Sequence, residues 1–282
     1  MRFEDQMGHT VHLSHPPQRI ISLVPSQTEL LFDLGLDEEI VGLTRFCVHP
    51  QDKCAQKTIV GGTKQFNFEQ IELLDPDLIL GNKEENYREG IERLQERYPV
   101  WMSDVLNLDD ACAMIQTVGT IVRRVENAQR LVAKIRAEMT ALPQWSPLRV
   151  AYFIWRRPFR VVGHKTFAQE MLHYCGFVNA FGHLPRYPEV TAPQIHAANP
   201  EMLLLASEPF PFSEKHVPQF SEEFPDVPAV PVDGSMFTWY GSRLRQAPAY
   251  FRDLRAKLRV LLSPKRFPYR SGSAAEESPG EP

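Results

Sequence analysis

Residues 44 to 50 read Thr-Arg-Phe-Cys-Val-His-Pro, so Cys47 stands two positions before His49, and a second thiol, Cys54, follows. Thiolate and imidazole are common zinc ligands, and a Cys–His pair can also act as nucleophile and base. Zinc would need a fourth ligand and usually a Cys-x-x-Cys knuckle, and the sequence offers neither. A plainer reading is a loop after a strand that lines a cleft. Arg45, Phe46 and His49 are then contact residues and Cys47 a small buried filler. A neutral imidazole at 49 could still reach a metal that a ligand carries in.

The second constellation is Gly-Ser-Met-Phe-Thr-Trp-Tyr-Gly-Ser-Arg, residues 234 to 243. Phe237, Trp239 and Tyr240 offer stacking surfaces and Arg243 a guanidinium, a set suited to a flat macrocycle with amide or carboxylate edges. The same rings could instead close the core of a sheet. Arg156 and Arg157, next to Trp155 at a strand end, either grip a carboxylate-rich chelate or solvate an edge. His9, His12 and His15 alternate as on the solvated face of an edge hairpin. Glu84, Glu85 and Glu89 read as a charged helix start with no chemistry. No Gly-x-Ser-x-Gly elbow, phosphate-binding Gly loop or His-Glu-x-x-His pair is present, which speaks against hydrolase, nucleotide and zinc-protease chemistry.

These residues must be held by something, and the chain supplies an alternating pattern. RIISLVPS is a short Ile/Leu/Val run of the kind buried on both faces of a parallel sheet. Ser26 and Glu29 have capping-box spacing, and LLFDLGL continues as a helix until Gly35. EEIVGLT, KTIVGG, LDPDLILG and YPVWMSD follow as strands, which makes residues 1–107 a βαβ lobe. From 108 to 142 apolar residues recur at three- and four-residue steps, the mark of a connecting helical segment that Gly119 and VRRVEN could divide. RVAYFIW, FRVVGH, the helix TFAQEMLHYCG, PEMLLLAS, AVPVDG and a helix starting near Ser242 repeat the order over 143–262. Residues 263–282 carry the Pro, Ser, Gly and Glu bias of a disordered tail.

Open parallel sheets bind ligands beyond the carboxyl ends of their strands. That rule adds Ser26, Lys64, Phe66 and Tyr187 to the residues expected at a cleft between the halves, and includes the loops 82–86 and 208–212.

A charge of −4, from 31 basic and 35 acidic residues without a dense basic stripe, makes nucleic acid an unlikely partner. No apolar run reaches the roughly 18 residues of a membrane span, and none near the start has the form of a signal peptide. Free thiols and a cytoplasmic setting are the expectation, or the periplasm if a signal sequence precedes the chain.

Taken together, PPQRIISLVPSQTELLFDLGL, IVGLT, GGT with FEQIELLDPDLILG, TFAQEMLHYCGFVNAF, RYPEV and NPEMLLLAS resemble the cobalamin and iron-siderophore binding proteins of ABC importers, the helical-backbone metal receptors. The resemblance implies an α/β fold of class III periplasmic-binding-protein type: two Rossmann-like lobes, a long interdomain helix, and a corrinoid, haem or ferric chelate held between the lobes, with no intrinsic cofactor and no catalysis. It places Lys64, with Phe66 near, where cobalamin-binding members have a tryptophan, and Tyr187 as the ligand-facing aromatic of the second lobe. Glu69 matches one of the two surface glutamates that meet an ABC permease, whereas Pro193 takes the place of the other. A cytosolic carrier or sensor without a permease, or a chelatase-like enzyme using His49 and Cys47, are the alternatives.

Overall fold

The computed structural model describes residues 1–262, so the expected disordered tail lies outside the described residues. The chain opens with an antiparallel hairpin of β1 (Arg2–Glu4) and β2 (Thr10–His12). Then come β3 (Ile20–Ser22), α1 (Pro25–Asp33), β4 (Ile40–Leu43), α2 (Gln51–Cys54) and β5 (Thr58–Ile59). The small ribbon of β6 (Gly61–Gly62) and β7 (Gln65–Phe66) leads to α3 (Phe68–Leu74), β8 (Leu78–Asn82), α4 (Arg88–Gln95) and β9 (Val100–Ser103). The first sheet has the order β5-β4-β3-β8-β9 and is parallel throughout. Successive crossovers leave β3 on opposite sides, and the crevice of such a sheet opens at that switch, beyond the ends of β3 and β8.

Every residue of β3 and β8 is buried, as their unbroken apolar runs require. A buried polar network fixes the loops above them. Thr28 Oγ1 donates to Ser22 Oγ at 2.7 Å, Gln27 Nε2 to Ser103 Oγ at 2.6 Å, and Asn86 Nδ2 to the carbonyls of Leu23 and Thr63 at 3.3 and 3.2 Å. The expected Ser26–Glu29 capping box does not form. Helix α1 starts two residues earlier, with Val24 as its N-cap and Pro25 supplying a preset φ in the first turn, and this frees the Glu29 carboxylate for another partner.

The connecting segment is two helices, α5 (Leu108–Ile121) and α6 (Val125–Thr140), broken where Arg123 takes φ +56°. Gly119 makes their contact possible, because a Cβ there would sit 2.3 Å from Ala128 Cβ. The 16 residues of α6 span about 24 Å and lead into the second lobe.

There the elements are β10 (Leu148–Trp155), β11 (Phe159–Val161), α7 (Phe167–Tyr174), β12 (Phe177–Asn179), β13 (Glu189–Val190), α8 (Ala192–Ala198), β14 (Met202–Ala206), α9 (Val217–Glu223) and β15 (Ala229–Val232). The sheet order is β13-β11-β10-β14-β15, with β12 also parallel to β10. The short α10 (Ser235–Thr238) and a 3-10 turn over Ser242–Arg245 precede α11 (Ala247–Leu262), so the closing α-helix begins slightly later than Ser242. That 3-10 turn packs against α1 of the first lobe and against α6.

Candidate functional site

The seam between the lobes is built where the α10–α11 connection meets the loops of the first sheet. Glu29, almost buried on α1, accepts two hydrogen bonds of 2.8 Å from the Arg243 guanidinium. The same guanidinium lies 4.5 Å from the centre of the Trp239 ring. Trp239 in turn meets His49 edge to face at 5.7 Å, which brings the loop after β4 against the second lobe. The indole N–H of Trp239 donates to Glu208 Oε1 at 2.9 Å, and Thr238 Oγ1 donates to the same oxygen. Gly241 lets this segment lie on α1, since a Cβ there would be 2.3 Å from the Ser26 carbonyl oxygen.

A second set of contacts closes the seam beside β8. Asn82 Oδ1 accepts from the backbone N–H groups of Glu84 and Glu85 at 2.8 and 3.1 Å, an Asx turn that aims both carboxylates out of the strand end. Glu85 accepts from the Tyr240 hydroxyl at 3.3 Å, and Glu84 pairs with Arg186 at 3.6 Å. Lys64 Nζ reaches the carbonyls of Glu84 and Asn86 at 2.8 and 3.4 Å. Burial first, and then the charge of Glu208, push the Glu85 carboxyl up to about 7. Glu208 is raised by its own burial, against which the Thr238 and Trp239 donors pull. Burial followed by the Glu84 charge raises Tyr187.

His49, Lys64, Tyr187, Trp239, Tyr240 and Arg243 thus come together at the seam, and Arg45 and Phe46 stand on the His49 loop with Phe46 52% exposed. Ser26 lies there too, but its buried Oγ has no hydrogen-bond partner among the described residues. Two expectations of ligand contact are corrected. Phe237 is fully buried and packs against Tyr152 and Phe251 at 5.2 and 5.0 Å, so it belongs to the core. Phe66 is buried against Phe68 and Tyr87. Arg156 and Arg157 lie at the β10–β11 hairpin tip, lining a surface cavity of about 390 Å3 with Glu189, Thr191 and Glu223 rather than joining Trp239.

The opening motif divides in the structure. Cys47 is buried beneath the loop, accepting from Thr28 Oγ1 at 3.1 Å, and burial pushes its thiol up, away from thiolate chemistry. His49 instead is exposed on the cleft side. All four cysteines are free and buried, and no group of three or more His, Cys, Asp or Glu suited to a metal gathers among the described residues.

Glu29, Glu85 and Glu208 escaped the sequence argument as site residues. Their partners lie far away in sequence, 214 positions for Glu29 and Arg243, and no local pattern marks such a pair. The one usable signal was topological, because the loops after β8 and β14 were expected at the cleft.

The Periplasmic binding protein family model matches residues 20–230, both sheets included. The chain belongs to the periplasmic binding protein family. It is a binding protein and not an enzyme. It is similar to a vitamin B12-binding protein of Pectobacterium carotovorum, 27% identical over 236 residues that cover 81% of this chain and 84% of that one. Its fold matches a periplasmic haem-binding protein from Roseiflexus sp. RS-1, with a TM-score of 0.70 at 21% identity, over 84% of this chain and 98% of the other. An Fe3+-hydroxamate transport protein from Saccharomonospora viridis matches at a TM-score of 0.68 and 20% identity, over 89% and 98% of the two chains. These periplasmic binding proteins share the two-lobe architecture, and among the described residues no helix is long and apolar enough to cross a membrane.

Proposed function

We propose that this periplasmic binding protein captures a metal complex of the corrinoid, haem or ferric-chelate class between its lobes, and that a corrinoid is the first candidate. The carrying observation is the wall of Trp239, Arg243 and His49, in which a ring face, a guanidinium and an imidazole converge from both lobes. A flat conjugated ring stacks on the first, its amide or carboxylate edge accepts from the second, and its metal is within the chemistry of the third. The vitamin B12-binding relatives favour the corrinoid within that class.

The lobes of the proposal are residues 1–107 and 143–262, with 108–142 as a stiff connection. With α5 and α6 packed as a pair, the lobes move little relative to one another, and the ligand enters by separating the seam contacts. We place the protein in the periplasm, the setting of its family, instead of the cytoplasm, and expect delivery to an ABC permease. Glu69, exposed in the first turn of α3, is the proposed docking charge. Pro193, in the first turn of α8, offers no charge, so docking on the second lobe would lack that ion pair.

Titrating the purified protein with cyanocobalamin, dicyanocobinamide, haemin and ferrioxamine, by absorbance and tryptophan emission, tests the proposal. Saturable one-to-one binding of one compound, recovered unchanged, supports it. Turnover of any of them, or no binding by folded protein, removes it.

A further inference from the structure

The second sheet has its own switch point. From β10 the chain turns straight back as the antiparallel β11, returns to the same edge of β10 as the parallel β12, and later adds β14 on the other edge, so the crevice of this sheet opens beyond the ends of β10 and β14. The residue at the end of β10 is Trp155, and it is 40% exposed. A single exposed apolar side chain is ordinary, but this one is braced. Its ring meets Phe210 edge to face at 5.5 Å, and Phe210 is backed by Phe212 at 4.6 Å and His216 at 5.4 Å. The indole N–H donates to the Arg157 carbonyl at 3.3 Å, and the Phe210 backbone N–H donates to the Ile154 carbonyl at 3.3 Å. The ring is therefore held at its polar edge and by its neighbour while much of its surface stays open.

Phe210 sits two residues after Glu208, whose carboxylate holds the Trp239 indole. One short loop after β14 thus fixes both indoles, one through a carboxylate and one through a ring. On the first lobe, the loop that carries His49 to Trp239 also leaves Phe46 and Val48 exposed. Among the described residues no cation lies over the Trp155 ring in the way that Arg243 covers Trp239, so this end of the crevice favours conjugated or apolar surface over a charged edge.

We infer that Trp155 and Phe210 form a second stacking surface of the cleft, continuous with Trp239 through the Glu208 loop, that receives the planar conjugated part of a macrocyclic metal complex. This rests on the proposed function, and it adds a basis for choosing among the ligand classes. A planar macrocycle can use two braced ring surfaces, whereas a compact hydroxamate chelate has no conjugated face to lay on the second one.

The test uses the full chain and its Trp155→Ala, Trp155→Phe and Phe210→Ala variants, each checked by thermal melting, titrated with dicyanocobinamide, haemin and ferrioxamine. Loss of one aromatic contact predicts macrocycle binding about three- to tenfold weaker in Trp155→Ala and Phe210→Ala, closer to wild type in Trp155→Phe, and unchanged for ferrioxamine. Wild-type affinity for the macrocycle in Trp155→Ala overturns the inference, as does an equal loss for all three probes. Wild-type protein that takes ferrioxamine and no macrocycle overturns it too, while leaving the proposed function standing. Wild-type protein that binds none of the three removes both.

Discussion

Two carboxylates set the behaviour of the seam at the scale of single residues. Glu208 is half-buried and holds Trp239 through one oxygen, so removing it frees the indole and leaves its N–H without an acceptor. Glu208→Ala should shift Trp239 emission and weaken ligand binding about tenfold, with Glu208→Gln recovering most of the affinity because a carboxamide oxygen can still accept. Restoration by Gln distinguishes positioning from general charge. Glu85 sets a pH response. Its carboxyl titrates at about 7, above its ordinary 4.5, so the folded protein binds a proton there that the unfolded chain has released. Stability from this group is therefore full below about 4.5 and is lost as pH rises through about 7. Thermal melts between pH 5 and 8 should show a steeper fall for wild type than for Glu85→Gln, and parallel curves would refute the assignment. The sequence placed the loops of these two glutamates at the cleft but gave no sign of their partners. A glutamate beside Asn82 looks like any charged helix start until the fold brings Tyr240 and Glu208 to it.

Among elements, the sheets were the legible part. Short Ile, Leu and Val runs such as IISL and LILG have no alternation, which only burial on both faces explains, and both proved to be interior strands. The division of the 108–142 segment at VRRVEN was also readable, since two apolar stripes are interrupted there by charge. Close backbone approach was not, because a glycine that permits a turn and one that permits contact look alike in one sequence. Gly241 is of the second kind, and its segment carries Trp239 and Arg243. Gly241→Ala should cost about 1–3 kcal/mol in urea unfolding through overpacking against Ser26, and should weaken ligand binding with it. Alanine tolerated without change in either measurement would mean that the seam is looser than the 2.3 Å approach requires.

For the whole molecule, the Glu29–Arg243 pair ties α1 of the first lobe to the segment that closes the second, and both side chains are only 11% exposed. A pair this enclosed returns little net energy when intact but is costly to break one partner at a time. Arg243→Met alone should destabilise the protein by on the order of 3 kcal/mol, and adding Glu29→Gln should recover part of that loss in a double-mutant cycle of urea melts. Full additivity would show that the two groups are not coupled across the seam. Ligand entry at Trp239 must share this space, so stability and affinity are linked through the same residues. The most direct check of the central claim is therefore a calorimetric titration of wild type and Trp239→Ala with cyanocobalamin, dicyanocobinamide, haemin and ferrioxamine. One-to-one binding of one compound at micromolar affinity or better, at least about tenfold weaker in Trp239→Ala, is the expected result for a ligand stacked on that indole. Equal affinity in the two proteins, or heat from none of the four in folded wild type, would contradict it.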